Sequence, residues 1–349
     1  MKILVIQQKM IGDVLTSSIL FEVLRHEYPK AQLDYLINDY TYPVVENNPF
    51  IDNFIFFTKK EEQIKHGLFV LAKKIKAQQY DVVIDVYSKL SSNIISLYSG
   101  AKIKISYYKL YTAWIYNENV KRKKKSKTNN LAITHRLKLL CPLYIDAEPL
   151  QPKIYLSKQE IKDSALFLTQ NKLKLEFPVF MISVLGSTKN KTYPFAFMAH
   201  VVDTIVEEQP KAQLLFNYIP NQAEDAKTIF NLCKPKTKDQ IYFNVFGKSL
   251  RQFLAITYHC DALIGNEGGA VNMAKAMKVK TFSIFSPWID KASWSLFEEE
   301  KNIGVHLKDY YPEYYTKPEK QYKKEALQLY QLFKPELFSN QLKTFLKAL

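Results

Sequence analysis

Three places in the chain combine side chains that could do chemistry with the end of a short apolar segment. The first is Asp13, which follows Gly12 and the apolar run at residues 3–6. An aspartate at the carboxyl end of a strand can act as a general base and take a proton from a hydroxyl group. It can equally cap the helix that begins there, and position alone favours capping. Both interpretations stay open at this point.

The second place is the loop at residues 185–191, which contains Gly186. This loop also carries the hydroxyl groups of Ser187 and Thr188 and two ammonium groups, one of them from Lys191. Together with backbone N–H groups, these donors suit a diphosphate. Taken singly, such a loop is more often an ordinary turn between a strand and a helix.

The third place is the loop at residues 265–272, which includes Gly268 and Gly269 and leads into an apolar helix. The chain has only nine glycines, so we expect glycine where the backbone turns sharply or approaches a ligand. N–H groups at the start of the helix would add partial positive charge for the same phosphates. Two such loops in one half, with Asp13 in the other, indicate a cleft between two domains.

Short apolar segments alternate with helical segments along the chain, which is typical of parallel sheets. Strands are predicted in the first half at residues 2–6, 32–37, 53–57, 82–85 and 102–106. The pattern starts again with strands at residues 177–184, 212–217, 241–244, 262–265 and 280–285. We therefore predict an α/β fold with one domain over residues 1–172 and a second over 173–322. The helices of residues 323–349 are expected to pack back on the N-terminal domain.

The composition indicates a fully folded chain, since 47% of its residues are hydrophobic and 14% are aromatic. Three cysteines without a Cys-x-x-Cys pair argue against a disulfide framework or a zinc site. We predict no metal and no cofactor. Neither a membrane-spanning stretch nor a leader segment is evident, so we expect a cytoplasmic protein.

The net charge of +15 indicates an anionic partner, such as nucleic acid, an acidic membrane surface or a phosphorylated substrate. Part of this charge lies in the basic run at residues 121–127, downstream of Tyr107, Tyr108, Tyr111, Trp114 and Tyr116. The run is either a solvated loop or, with its aromatic neighbours, a surface for anionic lipid head groups. No nucleic-acid-binding signature accompanies it, so we do not expect a nucleic acid partner.

Residues 3–16 resemble the N-terminal signature of glycosyltransferase family 9, the bacterial heptosyltransferases of lipopolysaccharide core assembly. The similarity continues at Lys191-Thr-Tyr-Pro194, which resembles the family's Lys-Arg-Trp-Pro. It also includes residues 246–250, and residues 265–269 together with 286–288. These landmarks keep the family's order and spacing over most of the chain.

The resemblance implies the GT-B architecture, in which two Rossmann-like parallel-sheet domains face each other across a cleft. The first would bind mainly the acceptor and the second the nucleotide-sugar. It also implies an inverting, metal-independent transfer of heptose from ADP-heptose to an anionic glycolipid, a lipopolysaccharide core acceptor of the lipid A type. We expect a monomer in the cytoplasm of a Gram-negative bacterium, peripherally associated with the inner-membrane surface.

The same resemblance assigns roles to residues on the donor side. Lys191 would act as a catalytic residue that meets the negative charge on the leaving diphosphate. The other donor-binding residues would be Gly186, Ser187, Thr188, Glu224, Glu267, Gly268, Gly269 and Asn272. Glu224 would lie near the nucleotide ribose, although a solvated glutamate at a helix start is the simpler explanation for it.

On the acceptor side, Asp13 would be the general base that deprotonates the attacking hydroxyl group. Gly12, Lys59, Lys60 and Arg136 would contact the acceptor. Charged residues in loops and on helix surfaces are often simply solvated, so Lys59, Lys60 and Arg136 need not bind the acceptor.

The chain departs from the family pattern in the loop at residues 265–272. The usual Asp, Thr or Ser, Gly, two variable residues and His are replaced here by a segment from Glu267 to Asn272. Glutamate reaches one methylene further than aspartate, and asparagine lacks the titratable ring of histidine. A different nucleotide-sugar donor for another surface glycan is therefore an alternative, and a non-enzymatic basic binding protein on the same fold is a further one.

Overall fold

The protein consists of two compact units, Met1–Tyr155 and Leu156–Leu349. A computed structural model describes residues 1–122, 130–291, 297 and 301–349. Of the basic run at residues 121–127, only residues 121 and 122 are among the described residues. Among the described helices, none is long and apolar enough to cross a bilayer. The predicted α/β fold with two parallel sheets is confirmed.

The first unit contains a six-stranded sheet in the order β3-β2-β1-β4-β5-β6. Its strands are β1 (Lys2–Ile6), β2 (Gln32–Ile37), β3 (Asn53–Phe56), β4 (Val82–Asp85), β5 (Ile103–Tyr107) and β6 (Glu118–Val120). Every pair of neighbours is parallel. The two central strands, β1 and β4, are buried on both faces, which explains why their sequences are continuous apolar runs.

Helices connect the strands of the first unit. They are α1 (Ile11–Ser17), α2 (Ile19–Glu27), α3 (Lys59–Gln63), α4 (Gly67–Ala77), α5 (Leu90–Tyr98) and α6 (Leu131–Leu137). Ser18 separates α1 from α2, and its hydroxyl donates to the Leu15 carbonyl at 2.7 Å. A serine that bonds its own backbone in this way competes with the regular helical pattern.

The second unit contains a five-stranded parallel sheet in the order β11-β10-β9-β7-β8. Its strands are β7 (Val179–Ser183), β8 (Gln213–Phe216), β9 (Ala262–Asn266), β10 (Lys280–Ile284) and β11 (Asn302–Val305). The strand expected at residues 241–244 is not formed, because only Ile241 makes an isolated bridge, to Leu214.

The helices of the second unit include a C-terminal pair that belongs to its core. The described helices are α7 (Lys158–Gln170), α8 (Phe195–Glu208), α9 (Ala223–Leu232), α10 (Pro235–Lys238), α11 (Leu250–Tyr258), α12 (Gly269–Ala276), α13 (Glu319–Leu332) and α14 (Ser339–Lys347). Phe338, Leu342 and Phe345 are buried in the same apolar cluster as strands β7, β9 and β10. Helices α13 and α14 thus belong to the second unit and contribute buried side chains to its core. The expected packing of this segment on the N-terminal domain stays a prediction.

The boundary between the units also differs from the predicted one at residue 172. Helix α7 lies in the second unit, where the Glu160 carboxylate accepts hydrogen bonds from Arg251 on α11 at 2.6 and 2.7 Å. The His259 ring nitrogen contacts the Ser164 hydroxyl at 3.0 Å. These bonds from α7 to α11 explain why the first unit ends at Tyr155.

Candidate functional site

Asp13 lies at the edge of the first sheet where its strands end. Because all the strands are parallel, the loops that follow β1, β4 and β5 leave the sheet at this one edge, where ligands of open α/β sheets bind. Helix α1 begins there after Met10, whose φ of 68° turns the chain. Asp13 lies in the first turn of α1, whose N-cap residue is Met10, and no hydrogen bond between its carboxylate and the backbone is found among the described residues. Capping therefore does not explain this aspartate.

The Asp13 carboxylate is held by Arg136, which lies on α6. One guanidinium nitrogen, Nη2, donates to Asp13 Oδ1 at 2.7 Å, and Nε donates to the Ser17 hydroxyl at 2.9 Å. The remaining nitrogen, Nη1, donates to the Ala132 carbonyl at 2.9 Å. Arg136 is only 8% exposed, whereas 37% of the Asp13 side chain is accessible. Arg136 thus fixes the orientation of the Asp13 carboxylate through Oδ1, while the carboxylate remains accessible to a ligand.

Gly12 has no conformational need to be glycine. It lies inside α1, and a Cβ atom built on it would meet nothing within 4 Å. The sharp turn expected at this residue is instead made by Met10. The missing side chain leaves open space directly beside Asp13, and a ligand could use that space.

Lys59 and Lys60 lie on the first turn of α3, after β3, at the same edge of the sheet, and both are exposed. Helix α3 is tied to the loop that precedes α1 by an ion pair of 2.7 Å between Lys9 and Glu62. This bond raises the pKa of the Lys9 ammonium group. The predicted lysines are therefore carried by a helix that is fixed relative to the start of α1.

In the second unit, the Gly186 loop follows β7 and folds tightly against the Lys191 turn. A Cβ atom on Gly186 would lie 2.2 Å from the Lys191 carbonyl oxygen, so only glycine fits there. The Gly186 N–H donates to the Thr192 hydroxyl at 3.1 Å. Its carbonyl accepts from the Gln222 side chain at 3.0 Å, which brings the start of α9 to this loop.

The Lys191 side chain lies over the indole ring of Trp288, with 5.5 Å between Nζ and the ring centroid. The turn that carries Lys191 is fixed from the loop after β10. The Asn190 carbonyl accepts hydrogen bonds from the Ser286 hydroxyl at 2.6 Å and from Trp288 Nε1 at 3.0 Å. Two segments that resemble the family, residues 191–194 and 286–288, are thus in contact in the folded protein.

Glu267 comes directly after β9 and is half-buried, with its Oε2 atom inaccessible to solvent. Its Oε2 atom has no hydrogen-bond partner among the residues that the structure describes. Burial raises the pKa of this carboxyl group, while the ammonium groups of Lys191 and Lys275 act in the opposite direction. A buried polar atom without a partner is costly, so it is normally satisfied by something that binds. Glu267 and Lys191 therefore belong to one polar site.

Asn266 connects the ends of two strands to the Lys191 turn. Its side chain accepts from the Tyr193 N–H at 2.7 Å and donates to the Ser183 carbonyl at 2.9 Å. Gly265 beside it has a φ of +131°, and a Cβ atom there would lie 2.4 Å from the Ser183 oxygen. This close packing of β9 against β7 is what places Glu267 next to Lys191.

The remaining predicted donor residues lie around these loops. Gly268 and Gly269 begin α12, whose first N–H groups have no partner within the helix, and a Cβ atom on Gly268 would meet nothing within 4 Å. Ser187 and Thr188 are exposed, and Asn272 is half-buried on α12. Glu224 is exposed in the first turn of α9 and has no described contact with Lys191 or Glu267, so the structure does not bring it to them.

Three residues that sequence reasoning missed hold this arrangement together. They are Ser17, Gln222 and Asn266, whose hydrogen bonds fix Arg136, the Gly186 loop and the Lys191 turn. Asn266 lies inside a quoted motif, and the other two carry no signal in the sequence. Within the described ranges, no group of three or more His, Cys, Asp or Glu side chains could hold a metal ion.

Residues 68–323 match the family described as "Glycosyltransferase family 9 (heptosyltransferase)". The chain is 23% identical over 298 residues to lipopolysaccharide heptosyltransferase 1 of Campylobacter coli, a comparison that covers 82% of this chain and 84% of that protein.

Two solved structures have a similar fold. A family 9 glycosyltransferase from Veillonella parvula gives a TM-score of 0.76 at 18% identity, over 95% of this chain and 97% of that one. The E. coli ADP-heptose lipopolysaccharide heptosyltransferase II gives a TM-score of 0.71 at 16% identity, over 95% and 99% of the two chains. The fold is therefore of the GT-B class, and the chain belongs to glycosyltransferase family 9, a family of sugar-transferring enzymes.

Proposed function

We propose that this enzyme transfers a heptose from ADP-heptose to an anionic lipopolysaccharide core acceptor of the lipid A type. The observation that carries the proposal is the accessible Asp13 carboxylate, which Arg136 orients at the ligand-binding edge of the first sheet. The donor is supported by the relative from E. coli that is named for ADP-heptose. The acceptor is supported by the Campylobacter coli relative that is named for lipopolysaccharide.

Asp13 would act as the general base of an inverting reaction. Its open carboxylate would take the proton from an acceptor hydroxyl while that oxygen attacks the anomeric carbon on the face opposite the leaving diphosphate. The bond between the anomeric carbon and the diphosphate oxygen breaks as the new glycosidic bond forms. Three of the five N–H groups of Arg136 donate to Asp13, Ser17 and a carbonyl oxygen, so we assign this side chain to positioning the base, beside the acceptor contact expected from the sequence.

Lys191 would stabilise the negative charge that develops on the ADP leaving group. The N–H groups of Gly268 and Gly269, and the hydroxyls of Ser187 and Thr188, would add donors around the same phosphates. These groups supply the charge compensation without a metal ion. Lys59 and Lys60 would meet anionic groups of the acceptor, which the exposed positions of both lysines permit.

The first experiment is calorimetric binding of ADP, UDP, GDP and CMP, with and without magnesium. We expect selective binding of ADP that does not depend on magnesium. Selective binding of another nucleotide would contradict ADP-heptose as the donor and favour the alternative of another surface glycan. The departures at Glu267 and Asn272 favour testing that alternative directly. The double substitution Glu267→Asp and Asn272→His restores the family residues at these two positions and should not change the preferred nucleotide if ADP is the native one.

The role of Asp13 is tested by Asp13→Asn. We expect transfer to fall about 10²- to 10⁴-fold, the usual contribution of a general base, with ADP affinity unchanged. Asp39→Asn is the matched control, because Asp39 is an exposed carboxylate after β2 at the same edge of the sheet. Unchanged turnover in Asp13→Asn would remove Asp13 from the mechanism.

An acceptor with lipid chains implies that the enzyme works at a membrane surface. We therefore propose peripheral association with the cytoplasmic face of the inner membrane of a Gram-negative bacterium, with the enzyme acting as a monomer. Light scattering of the purified protein tests the oligomeric state, and a dimer mass would contradict it.

A further inference from the structure

The turn between β5 and β6 exposes an unusual set of large apolar side chains. Leu110 is 83% exposed, Tyr111 72% and Trp114 71%, and Tyr108 is also exposed. Single exposed apolar residues are ordinary, but a compact group within one short turn marks a surface that contacts something else. We call residues 108–114 the aromatic turn.

Buried residues and hydrogen bonds within the aromatic turn fix its backbone, and so fix the positions of its exposed side chains. Thr112 and Ile115 are buried, and their N–H groups donate to the Lys109 and Thr112 carbonyls, each at 3.0 Å. The Trp114 indole nitrogen donates to the Tyr111 carbonyl at 3.3 Å. These buried side chains and hydrogen bonds therefore hold the turn in a conformation that exposes Leu110, Tyr111 and Trp114 to solvent.

Positive charge surrounds the aromatic turn. The Lys121 ammonium lies 5.7 Å from the Tyr108 ring centroid, and the Arg122 guanidinium lies 3.6 Å from that of the buried Tyr107. Lys109 donates to the Ser88 carbonyl, next to the exposed residues Lys89 and Leu90. Burial lowers the pKa of Lys109, and the charges of Lys89 and Arg122 lower it further.

We propose that the aromatic turn, together with Leu90, inserts into the head-group region of an anionic bilayer. Tryptophan and tyrosine are favoured at that depth because each has an apolar ring and a polar group. Lysine and arginine around them are attracted to anionic lipids. Charge complementarity is what selects an anionic bilayer here, since a purely apolar partner would leave these cations without counter-charges.

The position of the aromatic turn explains how a lipid-linked acceptor would reach Asp13, a step that rests on the proposed function. Strand β5 ends at Tyr107 and is parallel to β4 and β1. The turn therefore leaves the sheet at the same edge as Asp13. A bilayer bound by the turn would face that edge of the first unit, where the acceptor hydroxyl has to be presented to the base.

The test is co-sedimentation of the full chain with vesicles. One set contains phosphatidylcholine alone, and the other contains about one third phosphatidylglycerol. We expect tight binding only to the anionic vesicles. The substitutions Leu110→Ser, Tyr111→Ser and Trp114→Ser together should weaken that binding about tenfold or more. Tyr144→Ser is the control, because Tyr144 is fully exposed. It follows Leu143, whose carbonyl accepts a hydrogen bond from Tyr28, four residues before β2 begins and so near the opposite edge of the sheet.

Two further variants separate the apolar and the charged contributions. Lys89→Glu with Lys121→Glu should abolish the preference for anionic vesicles. Brominated acyl chains should quench the tryptophan fluorescence of the wild type more than that of Trp114→Phe. Equal vesicle binding by the triple variant and the wild type, or an equal loss in Tyr144→Ser, would overturn the proposal.

The outcome is independent of the proposed transferase activity. The triple variant should bind ADP as the wild type does, and its thermal unfolding should be unchanged because the altered side chains are exposed. It should also retain transfer to a water-soluble acceptor from which the acyl chains have been removed. Failure to bind any ADP would count against the proposed function and leave the vesicle result standing.

Discussion

At the scale of single residues, the glycines fall into two groups. Gly186 and Gly265 are packed so closely against backbone oxygen atoms that no side chain fits. Gly12 and Gly268 have nothing within 4 Å of the position where a Cβ atom would lie. The first group is required by the fold, and the second leaves room beside Asp13 and beside the start of α12.

This division predicts opposite effects of alanine at Gly265 and Gly268. Gly265→Ala should lower the free energy of unfolding by about 1–3 kcal/mol, because its φ of +131° is strained for any other residue. Gly268→Ala should leave stability unchanged and weaken binding of ADP. Denaturant unfolding and calorimetry on both variants measure the two effects. Equal destabilisation by both substitutions would show that the open space at Gly268 has no functional meaning.

Lys191 and Lys189 allow a matched comparison within one turn. Lys191→Met should weaken ADP binding by about tenfold to a hundredfold, the usual contribution of a charge-assisted hydrogen bond. Lys189→Met should have little effect, because Lys189 is exposed and makes no described contact with Trp288. If Lys189→Met gave the larger loss of affinity, the diphosphate would be bound on another part of the loop.

At the scale of elements, α1 and α6 are joined by one arginine. Asp13 and Ser17 lie four residues apart and therefore on the same face of α1, where Arg136 of α6 bonds both side chains. Lysine cannot reproduce this geometry, because it lacks the planar guanidinium group. The position of the base thus depends on the packing of a second helix.

Arg136→Lys should therefore lower kcat about tenfold while ADP affinity stays unchanged. Arg25→Lys is the control, since Arg25 makes an ion pair of 2.7 Å with Asp52 away from Asp13. Steady-state kinetics of both variants, with calorimetry of ADP, measure the effect. A higher KM for the acceptor with unchanged kcat would indicate instead that Arg136 contacts the acceptor directly.

The end of β4 contains a buried carboxyl group that makes stability depend on pH. Burial raises the pKa of Asp85 from 3.8 to about 6, against the effect of hydrogen bonds from Tyr116 and Ser88. The Tyr116 hydroxyl also lies 2.8 Å from Asn93 Oδ1. The folded state keeps the Asp85 proton at pH values where the unfolded chain has lost it. The stability contributed by this proton is therefore largest below pH 3.8 and is lost as the pH rises through about 6.

Asp85→Asn mimics the protonated carboxyl group at every pH. We expect this variant to be more stable than the wild type near pH 8 and equal to it near pH 4, as the linkage of proton binding to folding requires. Melting temperatures across this range measure the difference. A constant offset between the two proteins would show that Asp85 does not titrate in the folded state.

The sequence allowed most strands to be predicted, because buried parallel strands are continuous apolar runs. Strands β1, β2 and β4 have the predicted bounds. The break at Ser18 and the missing strand at 241–244 were not predictable in this way, because a side-chain bond and a single bridge decide them. Strand β11 was missed, because its four residues, with Ile303 and Val305 separated by a glycine, do not form a continuous apolar run.

At the scale of the whole molecule, each unit has a core of its own. The C-terminal helix α14 completes the core of the second unit, where Phe345 is only 3% exposed. The sequence of this segment indicates helices but does not determine which surface they cover. The surface that the helix covers depends on how the rings of Phe282, Phe338 and Phe345 pack together. The spacing of apolar residues in the sequence does not show this packing.

Phe345→Ala should lower the stability of the second unit by about 3–5 kcal/mol through loss of packing. Thr344→Ala is the control, because Thr344 is exposed on the same helix. Thermal unfolding with and without ADP identifies the transition of the second unit, which ADP should shift upward if it binds there. A loss confined to the other transition would mean that α14 stabilises the first unit.

The candidate site was predicted in part. Asp13, Gly186, Lys191 and Glu267 were recognised from motifs, and the structure brings Lys191 and Glu267 together. The burial of Arg136 was not predictable, because a basic residue on a helix is usually solvated and its partners are 119 and 123 positions away. Such distant pairings follow from the fold and leave no local pattern.

The Tyr193 amide gives a natural sensor of the Lys191 turn. Its N–H donates to the side chain of Asn266, which is 1% exposed at the end of β9. Exchange of this hydrogen for deuterium requires the turn to separate from the strand end, even if only for a moment. A nucleotide bound by Lys191 would hold the turn closed and slow that exchange. Deuterium uptake at Tyr193 would therefore record donor occupancy in the second unit without any sugar being transferred.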